Sequence, residues 1–583
     1  KMIKEERMFR GKLARMLMVV VVLLLALSVV QCGPKPQEAK PAVLRANHSS
    51  EPPTLDPALA TDTTSVQCDK QLFLGLTAFE KDTPNVIPEL ATEWSVSDDG
   101  LVWTFKMRDD VQWVNYNPET KEVKEAGTVT AQDVVYGVKR TINPETASDY
   151  AYVLYIIKGG EAANTGEGSL DDVGVRAVDD YTVEFTLEHA AGFFPAIAGM
   201  WVARPQPQEA IEAHGEKWTE PGNIVTNGPY MLESWEHEAS MVMVKNPKYY
   251  DAANVQIERI EWAMVQEDFT EMAMYENNEL DVTGANVGWG PPLEDMDRVK
   301  SDPVLSKELK ITPRLCTYYY GFVNTKPPFD NDLVRKAFSA AIDRQSLIDN
   351  VTKGEQIPAI HFACPGIFGA PPVDEVGIGY DPEQAKAWLA EAGYPNGEGL
   401  GEIVLMHNVS EAHAKIAQAI AAMWKETLGV DVKIETQEWN VYLQTLQKDT
   451  PVEDVPHIFR MGWCADYPDE NNWVHEVFNT EAGANRTRRG CVDPNCQEVQ
   501  PTKFDELTRQ AGVEQDPEKR KELYREAERI LIEEETTIAP IYHYTFITMT
   551  KPWVTVRYDS PVGGDPIKDW KIDVEAQAAA LGQ

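Results

Sequence analysis

Helices and strands interleaved along the whole chain predict an α/β fold, and three stretches carry that prediction. Ser410 to Leu428 has helical spacing and stops at Gly429, and a strand follows in which Val430, Val432 and Ile434 alternate. Leu101 to Arg108 alternates apolar and polar residues with period two, the pattern of a half-buried strand. Ile538 to Met549, rich in β-branched and aromatic residues, reads as a strand after the charged helix Asp516 to Glu534.

The remaining elements follow from local signals. Thr130-Ala-Gln-Asp133 is a capping-box variant that opens a helix with Val134, Val135 and Val138 on its buried side. Asp332 to Val351 places Leu333, Val334, Phe338, Ala341, Ile342 and Leu347 at helical spacing. Asp381 and Pro382 supply an N-cap and a first-turn proline to a helix that Gly393 ends. The chain shows no internal repeat.

Arg7, Arg10, Lys12 and Arg15 precede an apolar run from Met16 to Val30, the order of a secretory signal over residues 1–31. That run is shorter than the roughly twenty residues a membrane helix needs. Cys32 follows, and the Pro-rich polar stretch to residue 42 cannot pack and acts as a tether. This order resembles a bacterial lipoprotein signal, which implies that Cys32 is acylated and holds the protein to a membrane through its lipid. Gln31 stands where that pattern has a small residue, and cleavage after Ser28 is the competing reading. Export holds under either.

A formal charge of −39 argues against nucleic acid as a partner, because that affinity comes from Lys and Arg neutralising phosphates. With 43% hydrophobic residues the chain can still bury real cores, so the charge is read as surface solubility. The seven cysteines suit an exported protein, where disulfides persist. Cys491 and Cys496 bracket an Asp-Pro-Asn turn and read as a short disulfide loop. Zinc is the alternative for this pair, but no second Cys or His pair lies nearby at ligand spacing, and no metal or cofactor is expected.

Three stretches concentrate chemistry. Arg460-Met-Gly462-Trp463-Cys464-Ala-Asp466-Tyr467 follows a strand-like apolar segment and sets one carboxylate among aromatics, where an acid wants a cation. Leu315-Cys316-Thr-Tyr318-Tyr319-Tyr320 and Glu51-Pro-Pro-Thr-Leu55-Asp56-Pro-Ala are the other two. Together they resemble the family 5 extracellular solute-binding proteins of bacterial ABC importers, closest to the oligopeptide-binding branch. The resemblance runs from about Val43 to about Trp570.

That resemblance implies a two-lobed periplasmic-binding-protein fold of the large, cluster C type, with a hinge and an accessory domain. The first lobe would comprise 43–72, 201–315 and 544–583, the accessory domain 73–200 and the second lobe 316–543. Hinges would fall at Leu315/Cys316 and near His543. The protein would capture an oligopeptide by closing and pass it to a permease and ATPase complex, working as a monomer. The peptide would pair through its backbone with Gly462, Trp463 and Cys464 on one side and Thr61, Asp62 and Thr63 on the other. Asp466 would take its α-amino group, Arg460 its carboxylate, and Trp439 and Tyr318 would line side-chain pockets. In this branch cysteines at the positions of Cys316 and Cys464 are joined, and by elimination Cys68 could pair with Cys364.

The residues themselves admit plainer roles. Asp466 could cap a turn, Trp439 and Tyr318 to Tyr320 could be core, and Arg460 could be an ordinary ion-paired arginine. His407 and His413 lack a metal-ligand spacing and read as surface. A secreted glycosidase would use paired carboxylates, for which Glu438, Asp466 and Asp469 are candidates. No Gly-x-Ser-x-Gly elbow, His-Glu-x-x-His helix or phosphate-binding glycine loop appears. The chain therefore reads as a carrier. Within carriers, an oligosaccharide stacked on tryptophans is the runner-up to a peptide, and Asp466 discriminates, since a sugar has no ammonium to set against it.

Overall fold

In a computed structural model the described residues are 40–284, 290–481 and 484–582. The leader, Cys32 and the tether up to residue 39 lie outside them. Strand Ala42–Asn47 runs parallel to Ile257–Ala263, and Ser240–Lys245 and Tyr230–Glu236 complete that sheet antiparallel. A second four-stranded sheet, ordered Ala91–Val96, Val102–Met107, Thr182–Thr186, Val175–Asp179, lies within 73–200. In Val102–Met107 the residues Trp103, Phe105 and Met107 are buried and Lys106 is exposed, as the period-two pattern requires. A smaller sheet pairs Gln112–Asn117 with Glu122–Thr128 and with Val225–Thr226, so the 73–200 segment is stitched to the chain that follows it.

The largest sheet is ordered Val282–Thr283, Ile538–Thr550, Leu309–Phe322, Ile458–Cys464, Ile403–Asn408, Val432–Gln437, with Ile357–Pro358 also on Ile538–Thr550. Two of its strands, of 14 and 13 residues, run antiparallel along each other. Their register breaks twice: Pro313 faces Thr545 and Thr317 faces His543, so Arg314, Leu315 and Cys316 stand against Tyr544 alone, and a smaller shift between Tyr318 and Tyr319 skips Ile541. Extra residues on one strand bend the pair. The larger irregularity lies at Leu315 and Cys316, across from Tyr544.

Buried residues sort by side of that bend. One apolar cluster draws on 42–282 and 553–572, with Tyr467 as an outlier. Two others draw mainly on residues between Leu293 and Val562. The helices start where their caps predict: Ser410 accepts from the His413 amide at 3.3 Å, and Asp381 accepts from the Gln384 amide at 3.0 Å. Gly429, at φ 75°, ends the long helix in the left-handed conformation. The stretch Asp332 to Val351 is not one helix. It forms Asp332–Ala340, restarts at Arg344–Leu347 and widens over Ile348–Thr352, because the Asp343 carboxylate caps a new helix on the Ser346 amide at 2.9 Å.

Cys316 lies directly opposite Cys464 on adjacent strands and the two are bonded, as are Cys491 and Cys496. Cys68 and Cys364 are not a pair, contrary to the expectation by elimination. Both are free and buried, in different clusters, and the Cys68 sulfur sits 3.3 Å from His48 Nε2. Counting cysteines ignores where the fold carries them.

Candidate functional site

A cleft opens beside the strand Ile458–Cys464. Its first edge pairs with Leu309–Phe322 from Ile458 to Cys464. Its second edge pairs with Ile403–Asn408 only at Ile458 and Phe459. From Arg460 onward, among the described residues, no strand covers that second edge. Gly462, Trp463 and Cys464 are half-buried there and line the cavity. An uncovered edge with one flank fixed is what an extended ligand needs to add itself as a further strand.

Asp466 stands where this strand leaves the sheet. Asn472 fixes it from both ends, donating from Nδ2 to Asp466 Oδ2 at 2.9 Å and accepting the Asp466 amide at Oδ1, also at 2.9 Å. Burial pushes its carboxyl up to about 7, against the hydrogen bond from Asn472, the charge of Lys70 and the nearby Tyr150 hydroxyl. Lys70 acts on it only as a nearby charge: among the described residues no ion pair joins the two, and the ammonium donates to the Gly563 carbonyl at 2.9 Å. The site thus holds an acid that is costly to ionise until a cation arrives.

The opposite wall is the start of helix Thr63–Leu72. Thr61, Asp62 and Thr63 all face the cavity, yet they are not a strand as expected. Asp62 is the helix N-cap, accepting from the amides of Thr64 at 2.9 Å and Ser65 at 3.1 Å. Burial raises the Asp62 pKa, and the side chain of Trp439 opposes that rise as a hydrogen-bond donor to the carboxylate. Trp439 opens helix Trp439–Thr445, and Glu438 caps that helix through the Asn440 amide at 2.8 Å.

Arg460 is buried in the floor. Its guanidinium donates to the Tyr544 hydroxyl, reaches Asn408 Oδ1 at 3.4 Å and lies 4.7 Å over the Tyr318 ring. Among the described residues no carboxylate holds it, so it is able to receive one. The ring of Tyr318 is therefore core beneath the arginine, fully buried and not part of the cavity wall, which corrects its expected pocket role. Tyr319, one residue on, points the other way and touches the cavity. His407 and His413 are buried rather than surface residues. His413 lines the cavity, and burial together with Arg460 pulls its pKa well below the ordinary value. Sequence reading also missed His48, Tyr150, Asn408 and Gly563, which reach the cleft from separate segments without any local motif.

The three acids offered for a hydrolase do different work. Glu438 caps a helix, Asp469 is ion-paired to Arg520 at 2.7 Å, and Asp466 faces the cleft. Two bodies of sheet and helix joined by bent strands, with a polar cleft at the join, define a protein that encloses a ligand between lobes. A model of the bacterial extracellular solute-binding proteins, family 5 Middle, matches residues 85–485, and the chain belongs to this family. The oligopeptide-binding protein OppA of Bacillus subtilis is 37% identical over 527 residues, which cover 88% of this chain and 89% of that protein. The structure of the Escherichia coli murein tripeptide binding protein MppA superposes with a TM-score of 0.79 at 29% identity, covering 92% of this chain and 99% of that one. Against the unliganded open form of MppA, at the same identity and with 92% and 98% of the two chains covered, the TM-score is 0.60. Haemophilus influenzae OppA in complex with the peptide RPPGFSPFR gives 0.79 at 26% identity, with 92% and 100% covered. The lobes here thus depart from an open arrangement. Membership makes the chain a binding protein and not an enzyme. Among the described residues no helix is long and apolar enough to cross a membrane.

Proposed function

We propose that this protein captures oligopeptides outside the cell membrane, encloses them by closure of its lobes and hands them to an ABC permease and ATPase. The single observation behind this reading is Asp466, a cleft-facing acid set beside an uncovered strand edge with, among the described residues, no cation bonded to it. A peptide α-ammonium supplies the missing charge, while its backbone pairs with Gly462 to Cys464. Arg460, farther along the same floor, offers the positive end for the peptide carboxylate, with the neutral imidazole of His413 beside it. Trp439 and Asp62 close over its middle.

In this reading the lobes are 43–72 with 201–315 and 544–583, and 316–543, with 73–200 as the accessory domain. The bulge at Arg314 to Cys316 serves as the hinge. Cys32 carries the lipid that keeps a monomeric receptor near its permease. Relatives that bind oligopeptides and a murein tripeptide support the ligand class. Titration calorimetry with one peptide, free and N-acetylated, tests it. Acetylation removes the ammonium, so it should weaken binding strongly. Equal affinities would defeat the reading, and an oligosaccharide, which the cleft tryptophans could stack against, would then take its place.

A further inference from the structure

We infer that Phe193 is the bolt of a closure latch: its ring, from the 73–200 segment, seats between Tyr467 and Arg520 and ties the two sides of the cleft together. The inference rests on the proposed closure around a ligand. Tyr467 immediately follows Asp466. The Phe193 and Tyr467 rings stack with centroids 5.3 Å apart and planes 8° from parallel. The guanidinium of Arg520 lies 5.0 Å from the Phe193 centroid, so the ring is held between an aromatic and a cation.

Both walls of this slot are braced from within their own side. Arg520 is ion-paired to Asp469 at 2.7 Å and donates to the Ala511 carbonyl and the Tyr524 hydroxyl, each at 3.0 Å. The Tyr467 hydroxyl donates to Glu476 Oε1 at 2.6 Å and accepts from Asn471 Nδ2 at 3.0 Å. Phe193, by contrast, arrives from the other side of the cleft, where Gln515 Nε2 also bonds the Ala190 carbonyl at 3.2 Å. Among the described residues, Tyr467 is the one buried residue between 283 and 552 that packs in the cluster built from 42–282 and 553–572. A side chain that belongs by sequence to one body and by packing to the other must be pulled out of that packing if the cleft opens.

A contact made only in the closed state adds to closure and hence to the apparent affinity for any ligand. It lies outside the ligand, so it should act alike on every ligand and chiefly on dissociation. The test uses the full chain, one peptide in free and N-acetylated form, titration calorimetry and stopped-flow kinetics. Phe193→Ala should weaken both peptides by the same factor, roughly 10- to 100-fold, with the change in the dissociation rate. Wild-type affinity and dissociation rate in Phe193→Ala would overturn the latch, and so would a factor that differs between the two peptides, since that marks a direct ligand contact. If Phe193→Ala does not fold, Phe193→Leu, which keeps bulk but loses the flat ring, decides by the same criteria with a smaller factor. Failure of the ammonium reading is a separate result: wild type would then bind both peptides equally, and the common factor would still judge the latch.

Discussion

The runs Tyr318 to Tyr320 and Trp463 to Asp466 sit next to each other, joined by the Cys316–Cys464 bond, yet the first is core and the second is cleft wall. Both are aromatic and both follow apolar strand. The difference lies in their edges. Leu309–Phe322 has a strand on each side, whereas Ile458–Cys464 loses its second neighbour after Phe459. Only Tyr319 of the first run reaches the cavity, from the opposite face. Aromatic content marks that a stretch is buried somewhere, and the pairing of its strand decides whether a ligand can be what buries it.

That contrast can be broken by substitution. Asp466→Asn keeps shape but leaves the ligand ammonium buried without its counter-charge, so affinity should fall by about 2 to 5 kcal/mol. At about 1.4 kcal/mol per decade that is roughly 1.5 to 3.5 orders of magnitude, readable by calorimetry. A fall below tenfold would place Asp466 with the core residues. Next in size is the staple itself. Replacing both Cys316 and Cys464 by Ser should lower stability by about 2 to 4 kcal/mol in denaturant titration, since the bond closes a long loop of sequence separation 148. An unchanged midpoint would mean that the two strands hold their register without it.

A smaller effect separates the two runs by pH. With its pKa raised to about 7 by burial, Asp466 carries a proton below that pH, and a bound ammonium must displace it. Affinity should therefore rise with pH toward 7, by up to about tenfold per unit, and flatten above it. Binding near pH 6 should release a proton, seen as a buffer-dependent calorimetric enthalpy. The smallest expectation concerns Tyr318→Phe, which loses a 3.5 Å contact with His413 Nδ1 and the hydroxyl's interactions with Arg460 and Tyr320. Stability should change by less than about 1 kcal/mol and peptide affinity should hold, whereas a large loss of affinity would return Tyr318 to the ligand site.

The elements were legible because each rests on a local cause. Alternation at Leu101 to Arg108, the caps at Thr130, Ser410 and Asp381, and the stop at Gly429 act within a few residues and appear where the sequence puts them. The family was legible for a similar reason, since its signature lies in contiguous runs around Cys316 and Trp463. Asp343 shows the limit even locally: a short polar side chain that can cap a new helix outweighs an unbroken apolar spacing. The cysteines show it over distance, where one pairing was implied by resemblance and the other, by count alone, was wrong.

The order of residues by itself determined the α/β elements, their caps, the family and the acid at position 466. Tertiary structure alone decided that Thr61 to Thr63 is a helix start, that His413 and Tyr150 meet Arg460 and Asp466 around one cavity, and that Phe193 stacks on Tyr467. Helix and strand signals come from neighbours a few positions apart, whose geometry the backbone fixes. The cleft and its latch join residues hundreds of positions apart, and their meeting depends on which strand edge is left uncovered and how two long strands bend at Arg314 to Cys316.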